Sequence, residues 1–238
     1  MKVAILCGGK GTRFQGGGGI PKPMAKIGEM PILEHIMKIY SHHGYDDFVL
    51  LIGYKGEVIM DYFSEAHPDW NIDFKFAGSE SKTAERVFKA KALLSERFFL
   101  TYGDGLADIN LKEELAFHER HHGLGTITVT PMPSQYGIVA YNTRGRVKDF
   151  KEKPLLKDRW INGGFFIFEP EFFDYMGGED LERNVLPKMA EKGVLYAYKH
   201  MGFWKCMDQH KDYIQLNELW KNGKAKWVVW RKNPTNNP

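Results

Sequence analysis

The chain predicts an α/β fold: a mostly parallel mixed sheet flanked by helices, with a small antiparallel β addition. Three observations carry that prediction. Short apolar runs of strand character alternate with helical stretches over the first half. Two of those runs end in glycine-rich loops, as strands do where a parallel sheet meets its ligand. In the second half, closely spaced strands with turn residues between them replace the alternation.

The first strand is Val3–Leu6. The loop after it, Cys7-Gly8-Gly9-Lys10-Gly11-Thr12-Arg13, is too rich in glycine for ordinary punctuation. Glycines let a backbone approach a ligand closely, and their N–H groups suit a phosphate chain. Arg13 adds a guanidinium fork suited to bidentate phosphate contact. Alone, the stretch also reads as a tight strand-to-helix turn. Two familiar phosphate loops do not fit. Gly9-Lys10 is followed by Gly11 rather than the Ser or Thr of a P-loop, and Phe14 stands where the dinucleotide fingerprint needs its third glycine.

Gly16 to Gly19 cannot hold one conformation unaided, which reads either as a flap between the loop and Lys22 or as an insertion without a role. Pro31 suits the first position of a helix whose apolar stripe is Ile32, Leu33, Ile36, Met37 and Tyr40. Phe48–Ile52 reads as a buried strand, Val58–Phe63 as a helix, Ile72–Phe76 as a strand and Ala84–Leu94 as a helix. Phe98–Tyr102 is a further buried strand, ending in Gly103-Asp104-Gly105. Strands then follow at Thr126–Thr130, Gly137–Tyr141, Arg146–Phe150 and Trp160–Phe168, with helices at Leu181–Lys192 and Gln209–Lys221. No repeat or linker divides the chain, so one domain is expected, with residues 233–238 as a frayed tail.

At 238 residues, 43% hydrophobic and 26% charged, the chain has the composition of a soluble globular domain with a substantial core. A net charge of +3 is too small to argue for nucleic acid or a membrane surface. No apolar run approaches the ~20 residues of a membrane span, and the strand-like N-terminus does not read as a signal peptide. Cys7 and Cys206 supply neither a disulfide framework nor a zinc pattern, and a cytoplasmic setting is expected. Cys7 reads as a buried strand residue rather than a nucleophile.

Asp104, between two glycines at a strand end, and Asp208, entering a helix, are the candidate metal ligands. Two carboxylates with few other protein ligands suit Mg²⁺, which takes its remaining oxygens from water and phosphates. Taken singly, Asp104 also reads as a turn residue and Asp208 as an N-cap. Glu152-Lys153-Pro154 reads as a solvated strand end or as an anion contact, and Gly163-Gly164 as glycines that open space in a buried strand. Trp204 is close enough to Asp208 to line a site. His118-Glu119-Arg120-His121-His122 matches the zincin pattern, but it offers no third ligand nearby and reads as a partly solvated helix end.

The motifs together resemble a known family. Gly8-Gly9-Lys10-Gly11-Thr12-Arg13 with Pro21-Lys22-Pro23-Met24 is similar to the opening of sugar-nucleotide pyrophosphorylases, the nucleotidylyltransferases. Tyr102-Gly103-Asp104-Gly105, Lys151-Glu152-Lys153-Pro154, Asn162-Gly163-Gly164 and Gly202-Phe203-Trp204 with Met207-Asp208 resemble the glucose-1-phosphate cytidylyltransferases in particular. The resemblance implies a Rossmann-like sheet, with residues 1–122 as a nucleotide-binding half and 123–232 as a sugar-phosphate-binding half. It implies Mg²⁺-dependent transfer from CTP to a sugar 1-phosphate, and it suggests a homo-oligomer.

The implied roles are Arg13 and Lys22 on the triphosphate, Asp104 and Asp208 on Mg²⁺, and Lys153 on the sugar phosphate. Leu6, Gly8, Gly9, Gly11, Thr12 and Gly103 would meet the nucleotide, while Gly137, Glu152, Asn162, Gly163 and Trp204 would shape the sugar pocket. Two departures stand out. Between Phe76 and Arg86 the chain is short where those enzymes carry a nucleotide-gripping insertion, of which Thr83 and Arg86 would be the remnant. Gln209 also replaces the threonine that usually follows the second metal aspartate. A phosphate monoester has a second pKa of about 6, so the acceptor is already an ionised nucleophile and no general base is required.

Overall fold

The computed structural model describes residues 1–12, 14, 19–176 and 180–231. Arg13, Gly16 to Gly18 and the tail at 233–238 lie outside the described residues. The elements in order are β1 (Val3–Leu6), β2 (Lys26–Ile27), β3 (Met30–Pro31), α1 (Ile32–His42), β4 (Asp47–Ile52), α2 (Gly56–Ala66) and β5 (Asn71–Phe76). Next are α3 (Thr83–Lys89), β6 (Phe98–Tyr102), β7 (Gly105–Ala107), α4 (Leu111–Arg120) and β8 (Gly125–Pro133). The rest are β9 (Ile138–Tyr141), β10 (Val147–Lys151), β11 (Leu155–Phe168), α5 (Leu186–Glu191), β12 (Leu195–Lys199), β13 (Trp204–Cys206) and α6 (His210–Lys221).

Seven strands form one sheet in the order β12-β8-β11-β6-β1-β4-β5. β6, β1, β4 and β5 pair in parallel, as do β12 and β8, while β11 runs antiparallel to both β6 and β8. The mixed, mostly parallel sheet expected from the alternation is therefore present. It is continuous from β5 to β12, so the two halves of the chain share one sheet. The small antiparallel addition is β9 with β10, a separate two-stranded ladder.

The central strands are buried on both faces, and their side chains alternate between two cores, as a period of two requires. Phe48, Leu50, Phe99, Phe165 and Ile167 face a core covered by α1, α2 and α6. Val49, Leu51, Leu100, Phe166 and Phe168 face a second core under α3 and α5. α1 buries every member of its expected stripe, Ile32, Leu33, Ile36, Met37 and Tyr40.

Several boundaries differ from expectation. Pro31 is the N-cap of α1 rather than its first residue. α3 stops at Lys89, and a 3-10 turn over Lys91–Leu93 takes up the remaining length. The single helix expected over Leu181–Lys192 is a π-helical turn, Leu181–Val185, followed by α5. Pro187 accounts for the break, since it has no N–H to donate and its ring crowds the preceding turn. Thr126–Thr130 belongs to the main sheet, as part of β8. The short strands β7, β12 and β13 were not expected; β12 is a largely exposed edge with no alternating apolar face.

Candidate active site

Two cavities open at the carboxyl ends of the parallel strands, where such sheets bind ligands. The first, about 290 Å³, is walled by the glycine loop after β1, by Lys22 and Pro23, by Thr83 and Arg86 of α3, and by Tyr102, Gly103 and Asp104. The second, about 260 Å³, is lined by Asn162, Gly163 and Gly164 of β11, by Trp204 and Cys206 of β13, and by Asp208, with Gly105. Tyr102 and Asp104 belong to both walls. The two chambers therefore meet at Asp104.

Each side chain is positioned by its element. The loop after β1 is pinned to the neighbouring strand by Cys7 N–H donating to the Leu51 carbonyl, and Gly8 accepts from Tyr54 N–H at 3.0 Å. A Cβ at Gly8 would stand 2.6 Å from Gly53 N and would collide with the Arg86 guanidinium. Glycine is required there by contact. Gly11 adopts φ +59°, the left-handed region that glycine enters freely. Gly164, at φ +78°, leaves room for a ring: a Cβ would lie 2.6 Å from Tyr102 Cδ2. Trp204 Nε1 donates to the Gly163 carbonyl at 2.7 Å, which fixes the indole beside the second cavity.

Lys22 is the electrostatic centre. Its ammonium donates to Asp104 Oδ2 at 2.6 Å and to Asp208 Oδ1 at 3.3 Å. Burial pulls its pKa down, but the two carboxylates outweigh that and the net shift is upward. The Cys206 thiol, beside the same pair, is pushed up by burial and by Asp104. Cys7 is buried and pushed up to about 12, so it is a core thiol rather than a nucleophile. Asp208 is not the N-cap of α6. That position is Gln209, whose N–H donates to Asp212 Oδ2 at 2.9 Å.

The donor set fits Mg²⁺. Asp104 and Asp208 converge closely enough for one ammonium to bridge them, and a bridging cation marks the point where a divalent ion would be held. Two carboxylates are a sparse set that leaves most of an octahedron to water and phosphate oxygens. No cluster of three or more His, Cys, Asp or Glu that could hold a metal occurs among the described residues. The His-Glu-x-x-His segment is spent on structure. His118 and His121 both contact Thr126 Oγ1, at 2.8 and 2.7 Å, and His118 Nε2 meets Glu169 at 3.2 Å. His118 is buried rather than partly solvated.

Leu6, Gly8, Gly9, Gly11, Lys22, Thr83, Arg86, Gly103 and Asp104 are brought together around the first cavity. Asn162, Gly163, Trp204 and Asp208 are brought together around the second. Thr12 is exposed beside the loop and lines neither. Gly137, Glu152 and Lys153 sit together near the β9–β10 ladder, where a Cβ at Gly137 would lie 3.0 Å from Glu152 Oε2, but none of them lines either of these two cavities. Sequence reasoning missed the double role of Tyr102 and the part of Glu182, which accepts from the hydroxyls of both Thr83 and Tyr102. Tyr102 was legible as the residue before Gly103-Asp104; Glu182 carried no signal.

The nucleotidyl transferase family model matches residues 2–223, and the chain belongs to that family. Within it, the chain is 40% identical to a probable glucose-1-phosphate cytidylyltransferase of Bacillus subtilis (strain 168), over 97% of this chain and all of the relative. It is 38% identical to the glucose-1-phosphate cytidylyltransferase of Salmonella typhimurium (strain LT2), again over 97% and 100%. The Bacillus match extends over 256 residues, so that relative carries about 25 residues with no counterpart here. Among solved structures, a Bacillus anthracis chain in complex with sucrose superposes with a TM-score of 0.73 at 17% identity, over 98% of each chain. HddC of Yersinia pseudotuberculosis complexed with GMP-PN superposes at 0.70 and 22%, over 92% of this chain and 99% of its own. These two share the fold.

Proposed function

We propose that this chain transfers a cytidylyl group from CTP to a sugar 1-phosphate, glucose 1-phosphate in the first instance, and releases pyrophosphate. The observation that carries the reading is the junction of two cavities at Asp104, whose carboxylate Lys22 holds. An acceptor phosphate oxygen attacks the α-phosphorus, the bond to the bridging oxygen breaks, and pyrophosphate leaves in line with its electron pair. The acceptor is already ionised, so no proton must be removed. The task is to hold two polyanions together while charge shifts to the leaving group.

Lys22 and Arg13 would neutralise the triphosphate, and the N–H groups of Gly8, Gly9, Gly11 and Thr12 would line its path. Asp104 and Asp208 would hold Mg²⁺, which when bound supplies charge neutralisation across the phosphates. Arg86 and Thr83 would flank the nucleotide, with Leu6 and Gly103 beneath it. Asn162, Gly163 and Trp204 would shape the sugar site, to which Glu152, Lys153 and Gly137 would be added from the hairpin. Residues 1–122 would thus serve the nucleotide and 123–232 the sugar phosphate.

No helix among the described residues is long and apolar enough to cross a membrane, and two free cysteines accord with a cytoplasmic setting. The hairpin exposes Tyr136, Tyr141, Val147 and Phe150, the kind of apolar surface a second copy would cover in a homo-oligomer.

A second reading keeps the chemistry and changes the base. The stretch between Phe76 and Thr83 is short where the resemblance implies a nucleotide-gripping insertion, and Thr83 stands in the wall of the first cavity. Pyrophosphate release with Mg²⁺, glucose 1-phosphate and each of CTP, UTP, dTTP, GTP and ATP separates the two. Turnover with CTP alone, abolished in Asp104→Ala, supports the first reading; turnover with another triphosphate supports the second. Silence with all five, and with other sugar 1-phosphates, overturns both.

A further inference from the structure

Glu182 lies in neither cavity, yet it ties their walls together. It sits on the π-helical turn Leu181–Val185, an uncommon geometry that recurs at functional sites. One of its oxygens, Oε2, accepts from Thr83 Oγ1 at 2.9 Å. The other, Oε1, accepts from the Tyr102 hydroxyl. Thr83 belongs to the wall of the first cavity, and Tyr102 stands in the wall of both.

The network continues on either side. The Thr83 hydroxyl accepts from Leu181 N–H at 2.8 Å, and the Tyr102 hydroxyl accepts from Asn162 Nδ2 at 3.3 Å. Each hydroxyl thus has its one proton committed to Glu182 and a donor on its oxygen. Hydrogen bonds to an ionised carboxylate are about twice as strong as neutral ones. The backbone is also shaped to the ring that Glu182 holds, because Gly164 at φ +78° leaves the space that Tyr102 fills.

We propose that Glu182 is a positioning residue: through Tyr102 and Thr83 it fixes the wall shared by the nucleotide and sugar-phosphate sites, and so sets the alignment of the two substrates. The inference rests on the nucleotidyl-transfer reading above. A displacement of about 1 Å between reacting groups is enough to cost ~10²-fold in rate, so a wall common to both substrates is where one carboxylate has leverage.

The test is steady-state kinetics on Glu182→Ala, Glu182→Gln, Thr83→Val and Tyr102→Phe, with melting temperatures alongside. Thr83→Val is expected to raise the triphosphate KM alone. Glu182→Ala is expected to raise the KM for both substrates, with kcat/KM lower by about tenfold, the scale of a lost charge-assisted hydrogen bond. Glu182→Gln is expected to recover part of that loss, since the amide oxygen still accepts one hydroxyl. Glu182→Ala on top of Tyr102→Phe is expected to raise the sugar-phosphate KM no further, because one path has already been cut. Unmoved KM values, or full additivity with Tyr102→Phe, would overturn the inference. Lower melting temperatures with unchanged KM would reduce Glu182 to a structural contact. An active wild type with unaffected variants removes this inference alone, whereas a wild type silent in every pairing removes the reading beneath it as well.

Discussion

Lys22 Nζ lies 2.6 Å from Asp104 Oδ2, although 82 residues separate them in the chain. The same ammonium reaches Asp208, so one half-buried cation holds two carboxylates that would otherwise repel. Lys22→Met is expected to lower kcat by about 10²-fold or more, the scale of losing one preorganised charge at a reacting phosphate. It also removes the ammonium that the two carboxylates share. Mg²⁺ is therefore expected to raise the melting temperature of Lys22→Met more than that of the wild type. Equal shifts in a thermal melt with and without Mg²⁺ would show that lysine and metal do not share the carboxylates.

Arg86 carries a buried Nη1 with no hydrogen-bond partner among the described residues, while Nη2 donates to the Ser79 carbonyl at 3.3 Å. Burial lowers its pKa. A guanidinium half-satisfied in the free protein is costly, and an acceptor on the nucleotide would complete it. Arg86→Met is expected to raise the triphosphate KM by about 10- to 100-fold, the range of a hydrogen bond to a charged group, and to leave the sugar-phosphate KM unmoved. Its melting temperature is expected to stay level or rise, since an apolar chain of similar length replaces an under-satisfied charge. A fall in stability with unchanged KM would make Arg86 a structural residue.

These two residues show what the sequence could and could not disclose. β1 and its glycine loop were readable because a buried strand and the glycines after it are local signals. Asp104 and Asp208 were readable as candidates, since each follows an apolar run and precedes a turn or helix. The contact that joins them was not readable, because Lys22 meets Asp208 across 186 residues. Glu182 fell within the expected helix Leu181–Lys192, and the π-turn that brings it to Thr83 and Tyr102 was not readable. β12 and β13 were missed for another reason. They are short strands that pair at an edge or in a two-stranded ladder, so neither needs an alternating apolar face.

Glu114 predicts a pH dependence of stability. It is fully buried on α4, accepts from Thr128 Oγ1 at 2.5 Å, and burial pushes its pKa from 4.5 to about 7. A carboxyl with a raised folded pKa stabilises the fold most below its unfolded value. That contribution is lost as pH rises from about 4.5 to about 7, where the unfolded chain has released its proton and the folded chain still holds it. The loss amounts to up to about 3 kcal/mol. Glu114→Gln is expected to remove this slope, so that urea unfolding at pH 5 and pH 8 separates variant from wild type mainly at pH 8. Parallel stability curves would contradict it.

The residues proposed to meet the sugar phosphate from the hairpin lead to the last prediction. Every residue of β9 and β10 is exposed, and a two-stranded ladder without a core is marginal by itself. Glu152 and Lys153 are both largely exposed, 3.6 Å apart, and Lys153 holds φ +45°, a strained conformation for a lysine. At the base of the hairpin, the pairing of β11 with β8 shifts register between Leu156 and Trp160. If Lys153 meets a phosphate bound beside Asn162 and Gly163, ligand binding ties the hairpin to the second cavity. Glucose 1-phosphate together with CTP is then expected to slow amide exchange across residues 138–151 by about tenfold, the signature of a weakly held element gaining a partner. Lys153→Ala is expected to abolish that protection and to raise the sugar-phosphate KM without moving the CTP KM. An unchanged sugar-phosphate KM in Lys153→Ala would mean that the second cavity binds the sugar phosphate without help from the hairpin.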